Sequence, residues 1–267
     1  MIHLHSITRR DRTASEHRFP FSVPVVRDLA RLDFTSAVTC FVGENGSGKS
    51  TVLEAIAAAA GLPTVGSLDS RRDPTLAAQR ELGDVLRLSW ERKATRGFFL
   101  RAEDFFGFTK SIARMRAELL SELDDVAVEY AAASPHARGL REGPIRASLN
   151  EMERRYGADL DANSHGQSFL TLFRARFVPN GLYLLDEPEA PLSPQSQLAL
   201  MAMMKDMVAQ NAQFIVATHS PILLAFPDAT IYSFDVSPVA AVPYSELDHV
   251  NLTRDFLSAP ERFLRHL

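Results

Sequence analysis

The chain has 267 residues, 46% of them hydrophobic and 23% charged, with a formal net charge of −4. That length suits one large α/β domain or two small ones, and the acidic balance argues against a polycation that coats nucleic acid indiscriminately. A single cysteine, Cys40, leaves no intramolecular disulfide, and eight histidines without a Cys/His cluster argue against a structural zinc site.

Met1–Arg12 is rich in His and Arg and lacks the apolar centre of a signal peptide. No run approaches the roughly 18 apolar residues needed to cross a bilayer. The expectation is a soluble, cytoplasmic protein with no transmembrane segment of its own. Met1–Ile7 reads as a short strand, and Pro20 and Pro24 punctuate a Phe-rich segment after it. Ala37–Val42 is apolar and β-branched and ends at Gly43, so it reads as a buried strand with Cys40 as a small core residue. Ser50–Ala60 is Ala-rich and is followed by Gly61 and Pro63, which predicts a helix with a stop signal. Residues 64–80 read as loop. Val85–Trp90 and Gly97–Ala102 alternate apolar and polar around the polar stretch 91–96, which predicts a β-hairpin.

Thr109–Ala133 carries Ile112, Met115, Leu119, Leu123 and Val126 near helical spacing. Pro135, Gly139, Gly143 and Pro144 predict a break over 134–144, and Ile145–Tyr156 a second helix. Two such helices are too short for a coiled-coil arm. A helix over Ser168–Phe177, a strand over Leu182–Leu185, a helix over Ser196–Gln210 and strands over Gln213–Ala217 and Ala229–Phe234 follow, with a closing helix over Leu252–Leu267. Alternating strands and helices imply a mostly parallel sheet with ligands at the carboxyl ends of its strands. The motifs below spread from residue 43 to residue 219, which favours one domain over 1–267 with residues 104–160 as a helical insertion.

Gly43-Glu44-Asn45-Gly46-Ser47-Gly48-Lys49-Ser50-Thr51 fits the phosphate-loop pattern G-x-x-x-x-G-K-[ST] in full. Each part has a physical use. Glycines let the backbone curl so that several N–H groups face one anion. The helix that follows adds its positive end. Lys49 supplies a mobile cation for the β- and γ-phosphates, and the Ser50 hydroxyl can bind Mg²⁺. Leu182–Glu187 then places two carboxylates where a buried strand emerges. Either they form a surface acidic pair before Pro188, or Asp186 holds Mg²⁺ and Glu187 polarises the attacking water as general base. His219 ends the next apolar strand and is either structural or placed to meet the γ-phosphate.

With these residues the chain resembles the ATP-binding-cassette superfamily of P-loop ATPases. It is most similar to the soluble branch related to the SMC, RecF and OLD-type ATPases and to small bacterial AAA/ABC-type ATPases. The resemblance spans nearly the whole chain. Gly43–Thr51 matches Walker A, Leu182–Glu187 matches Walker B, Pro188–Ser193 falls at the D-loop, and His219 falls at the switch histidine. Asn163-Ser164-His165-Gly166-Gln167-Ser168 is similar to the signature L-S-G-G-Q, with Asn163 for leucine and His165 for the first glycine. The resemblance implies that Ser164, Gly166 and Gln167 cap the γ-phosphate of a second, head-to-tail copy. It also implies an N-terminal antiparallel β subdomain beside a mostly parallel central sheet. Ser193 stands where the D-loop aspartate is usual, and Glu103 lies near the place of the Q-loop glutamine. Phe19 and Phe21 are either adenine-stacking or core residues.

The expected activity is hydrolysis of Mg·ATP within an ATP-dependent homodimer, coupled to nucleic acid or to a partner protein. Arg71–Arg101 holds eight Lys/Arg against four Asp/Glu, either a phosphate-facing cluster or a solvated hairpin surface. Two alternatives stand beside this reading. One is the nucleotide-binding subunit of a membrane transporter, and the other a slow ATP-dependent switch or scaffold.

Overall fold

The computed structural model describes residues 1–10, 17–65, 77–156 and 165–265. In chain order the elements are β1 (Leu4–Arg9), α1 (Pro24–Arg27), β2 (Arg31–Asp33), β3 (Val38–Val42), α2 (Lys49–Ala60), α3 (Ala77–Val85), β4 (Leu86–Trp90) and β5 (Gly97–Arg101). There follow α4 (Ala102–Glu129), α5 (Pro135–Tyr156), α6 (His165–Arg176), β6 (Leu182–Asp186), α7 (Pro194–Ala209), β7 (Gln213–Ala217) and α8 (Pro221–Leu224). The chain closes with β8 (Thr230–Ser233), β9 (Ala240–Ala241), a 3-10 turn at Tyr244–Glu246, α9 (Asp248–Ser258) and α10 (Pro260–Leu264).

A six-stranded sheet in the order β5-β6-β7-β3-β8-β9 is parallel except for β9, and β2-β1-β4 form a separate antiparallel sheet. This is the α/β class expected from the sequence, antiparallel N-terminal sheet included. The three central strands β6, β7 and β3 are buried at every position, as strands covered on both faces must be. Their period of two divides the core. Val38, Cys40, Tyr183, Leu185, Phe214 and Val216 point toward α6 and α7, where Phe169, Phe173, Leu200 and Met204 meet them. Phe41, Leu182, Leu184, Ile215 and Ala217 point toward α2 and the antiparallel sheet, against Val52, Leu53, Ile56, Leu4 and Ile7. Cys40 is fully buried, and burial pushes its thiol up to about 12.

Side chains tie the two sheets: Tyr232 on β8 donates to the Asp33 carbonyl on β2 at 2.7 Å, and Gln213 makes three such bonds. The fully buried Gln213 accepts from the His3 and Leu4 amides through Oε1, each at 2.8 Å, and donates through Nε2 to the Leu4 carbonyl at 3.0 Å.

Several local expectations are corrected. Val85–Trp90 and Gly97–Ala102 do not form a hairpin: β4 pairs with β1, and β5 lies parallel to β6 in the other sheet. Gly97 shows why β5 seats there. Its φ is 139°, and a Cβ would stand 1.8 Å from the Leu182 carbonyl oxygen, so only glycine allows the strands to close on each other. Helix α3 starts inside the stretch read as loop, and residues 66–76, including part of the Arg71–Arg101 cluster, lie outside the described residues. Helix α5 runs through the expected break, with Pro144 inside it. Glu142 accepts from Arg138 and Arg146 one turn to either side, which supports the helix where Pro144 removes a donor. The closing helix is two helices, α9 and α10, parted at Ala259 before Pro260. Among the described residues no helix is long and apolar enough to cross a membrane.

Candidate functional site

Sheet register assembles the site. Phe41 on β3 pairs with Ala217 on β7, and Ala217 pairs with Asp186 on β6. The next residues of each strand, Val42, Thr218 and Glu187, therefore leave the sheet side by side at its carboxyl end. Between β3 and α2 runs the phosphate loop. Gly48 caps α2 with φ 101°, and a Cβ there would lie 2.7 Å from Val25 and 2.8 Å from Val23. Helix α1 thus packs against the loop where only glycine fits.

Glu44, Asn45 and Gly46 are exposed at the loop's crest, Gly43 lies beneath them, and the Ser47 hydroxyl is buried without a hydrogen-bond partner. Lys49, 4% exposed, donates from Nζ to the Gly43 carbonyl at 2.7 Å and the Glu44 carbonyl at 3.0 Å. Burial lowers the Lys49 ammonium from its ordinary range, and the carboxylates of Glu187, Asp186, Asp235 and Glu189 oppose that shift. Ser50 and Thr51 lie in the first turn of α2. The Ser50 hydroxyl donates to Asp186 Oδ1 at 3.1 Å. Burial pushes the Asp186 carboxyl up to about 7; the Ser50 hydrogen bond and Lys49 oppose this, while Glu54 and Glu187 add to it. A hydroxyl and a buried carboxylate at this separation are the hard oxygen donors that fit Mg²⁺.

Glu187 follows Asp186 with φ 48°, in the left-handed region, and its amide donates to the Ala217 carbonyl at 2.9 Å. A left-handed glutamate costs about 1–3 kcal/mol. His219 Nε2 lies 3.9 Å from Glu187 Oε1, too far for a direct hydrogen bond.

The structure therefore brings together Gly43–Thr51, Asp186, Glu187 and His219. Of the signature segment, Gln167 is not with them. Ser164 lies outside the described residues, and Gly166 is the second residue of α6. Gln167 lines a different cleft, of about 500 Å³, with Thr171, Arg174, Gln195 and Ser196. The Glu103 side chain also lies outside the described residues. Of the two phenylalanines, Phe21 is core, with the Arg9 guanidinium 5.2 Å from its ring centre, and Phe19 is 48% exposed.

Sequence reasoning missed three groups. Asp235, just past β8, accepts the Glu44 amide at 2.7 Å. Glu189 accepts the His219 amide. Glu54, one turn along α2 from Ser50, lies 3.4 Å from Arg101, the residue that pairs with Asp186 in the sheet. An acid at a strand's carboxyl end was a usable signal for Asp235. The other two depend on tertiary approach.

A family profile described as "AAA domain" matches residues 21–116, which hold the phosphate loop. A second, "AAA domain, putative AbiEii toxin, Type IV TA system", matches residues 167–225, which hold Asp186, Glu187 and His219. The two segments that carry the site thus each match an AAA-domain profile. The chain is 28% identical over 233 residues to the macrolide export ATP-binding/permease protein MacB of Hahella chejuensis, covering 85% of this chain and 33% of that protein. It thus spans about a third of the length of that relative. It is 28% identical over 200 residues to the cytochrome c biogenesis ATP-binding export protein CcmA of Rhodopseudomonas palustris, covering 72% of this chain and 84% of that one. Among solved structures, the Smc head domain of Pyrococcus furiosus, bound to the C-terminal domain of ScpA, matches at 13% identity with a TM-score of 0.48, covering 96% of this chain and 100% of that one.

One expectation for the protein concerns stability without nucleotide or metal. With a folded pKa of about 7 against an ordinary 3.8, Asp186 holds a proton in the fold that the unfolded chain has lost, between those two values. Stability therefore falls as pH rises across that window and levels off above it. Asp186→Asn keeps an oxygen for Ser50 and removes the ionisation. In denaturant melts with EDTA, the loss between pH 5 and pH 8 is expected to shrink by on the order of 2 kcal/mol in the variant. An unchanged difference would mean that Asp186 titrates as an ordinary carboxylate.

Proposed function

We propose that this ATPase binds Mg·ATP on Gly43–Thr51 and hydrolyses it at a site completed by a second, head-to-tail copy. The cycle would drive work on nucleic acid or a partner protein in the cytoplasm. The observation that carries this reading is the 3.1 Å contact of Ser50 with Asp186 beside Lys49, Glu187 and His219. Gln167, by contrast, faces another cleft of the same chain. In this reading a single copy offers the phosphate loop, the metal ligands and the base, and a second copy supplies Ser164, Gly166 and Gln167.

In this reading the amides of 43–50 wrap the β-phosphate. Lys49 exchanges its two carbonyl partners for phosphate oxygens. Ser50 and Asp186 would hold Mg²⁺, whose charge offsets that of the β- and γ-oxygens. Glu187 takes a proton from the attacking water as its oxygen bonds to the γ-phosphorus. The bond from phosphorus to the β-bridging oxygen breaks, leaving ADP and phosphate. His219 Nε2, buried and without a hydrogen-bond partner, faces a γ-phosphate oxygen or the water. The partner copy's α6 N-terminus adds a positive end to the γ-phosphate.

The match to CcmA over 84% of its length favours a second reading, the nucleotide-binding subunit of an exporter. Co-sedimentation with membranes separates the two. The composite site itself is tested by analytical ultracentrifugation with Mg²⁺ and a non-hydrolysable ATP analogue. The expected result is a doubling of mass that EDTA reverses. A monomer at every nucleotide concentration overturns the head-to-tail site.

A further inference from the structure

We infer that Glu189 is a positioning residue, whose carboxylate sets His219 for ATP hydrolysis by holding its backbone. The inference rests on the reading that His219 serves hydrolysis. Glu189 sits in the loop between β6 and α7, and its Oε1 accepts two consecutive amides of the loop after β7. These are His219 N at 2.7 Å and Ser220 N at 3.2 Å. Two N–H groups on one carboxylate oxygen are charge-assisted and directional, so they fix the backbone on both sides of the His219 Cα.

Three further observations fit this role. First, Glu189 Oε2 is buried without a hydrogen-bond partner. Leaving a carboxylate oxygen unsatisfied costs free energy, so packing alone does not account for a glutamate here. Second, Glu189 is among the carboxylates whose charge favours the Lys49 ammonium, while its hydrogen bonds are spent on the His219 loop. Third, the two loops are knit together elsewhere. Ser220 Oγ donates to Gln197 Oε1 on α7 at 2.5 Å, and Gln197 Nε2 donates to the Leu192 carbonyl at 3.1 Å. The loop carrying Glu187 and Glu189 and the loop carrying His219 are therefore hydrogen-bonded to each other directly and through α7. These bonds join the two loops across which Glu187 and His219 stand 3.9 Å apart, and a group displaced by about 1 Å can cost ~10²-fold in rate.

The test uses full-length protein with two readouts. In nucleotide-free protein, hydrogen exchange at the 219 and 220 amides is expected to be about tenfold faster in Glu189→Ala and close to wild type in Glu189→Gln, whose amide oxygen still accepts both bonds. In turnover, Glu189→Ala is expected to lower kcat about 10- to 100-fold with KM for ATP within about twofold. Glu189→Ala combined with His219→Ala is expected to be no slower than His219→Ala alone, because both changes remove one function. Unchanged exchange, additive losses, or a rise in KM with kcat intact would each overturn the inference. If Glu189→Ala does not fold, Glu189→Gln and Glu189→Asp decide. Retained turnover in Gln and loss in Asp, one methylene short, supports backbone positioning, and the reverse pattern assigns a role to the charge and overturns it. Wild-type protein that binds ATP without hydrolysing it would refute the proposed function and leave the exchange result standing by itself.

Discussion

Glu187→Gln is expected to lower steady-state ATP turnover about 10²- to 10⁴-fold while leaving ATP affinity within a few fold. Glutamine matches glutamate in shape and cannot take the proton that the attacking water must lose. The change also spares the contacts that bind nucleotide, since Lys49 and Ser50 make none of their hydrogen bonds with Glu187. ATP bound and not consumed should prolong the paired state, so the variant is expected to run as a dimer at ATP concentrations where wild type cycles back to monomer. Phosphate release and a sizing column in Mg·ATP measure the two effects. A second substitution separates backbone from chemistry. At φ 48° Glu187 pays for a left-handed conformation, which glycine adopts freely. Glu187→Gly should therefore be as inactive as Glu187→Gln and more heat-stable, by up to about 1 kcal/mol. Turnover within threefold of wild type in either variant would remove Glu187 as the base.

The parts of the site written in one run of sequence were legible. A phosphate loop works through its own backbone amides and the helix it starts, so the spacing of glycines around Lys49 is enough to suggest one. Asp186 and Glu187 were legible because an apolar strand, buried at every position, ends on two acids. Groups whose role depends on which strand lies beside which were not. Asp235 meets the Glu44 amide because β8 pairs with β3, and Glu189 meets His219 because β6 pairs with β7. Neither pairing is encoded locally. The same limit explains the false hairpin. The alternation in Val85–Trp90 and Gly97–Ala102 gave two strands correctly, but β4 and β5 take partners far away in sequence. Helix α5 was cut short for another reason: Pro144 and two glycines are local breakers, and the ion pairs around Glu142 that offset them are visible only once the helix is formed.

Lys49→Ala is expected to weaken ATP binding about 10²- to 10³-fold, the consequence of removing one partner from a desolvated charge pair worth about 3–4 kcal/mol. Loss of packing would be a competing cause, because Lys49 is buried. Lys49→Met keeps most of the volume and none of the charge, so it should bind as poorly as Lys49→Ala. Lys49→Arg should not rescue, because a planar guanidinium cannot take the place of an ammonium held within 3.0 Å of two carbonyls of its own loop. Stability should move far less than affinity. Burial already penalises the ammonium in the nucleotide-free protein, and replacing a buried charge by an apolar side chain of similar volume is often close to neutral. Lys49→Met is thus expected to melt within a few degrees of wild type while losing ATP, and thermal melts with and without Mg·ATP read both quantities from one sample, since a ligand that binds only the fold raises the melting temperature. Wild type should gain stability from Mg·ATP and Lys49→Met should gain almost none. Equal gains in the two proteins would place the nucleotide somewhere other than the loop that Lys49 closes.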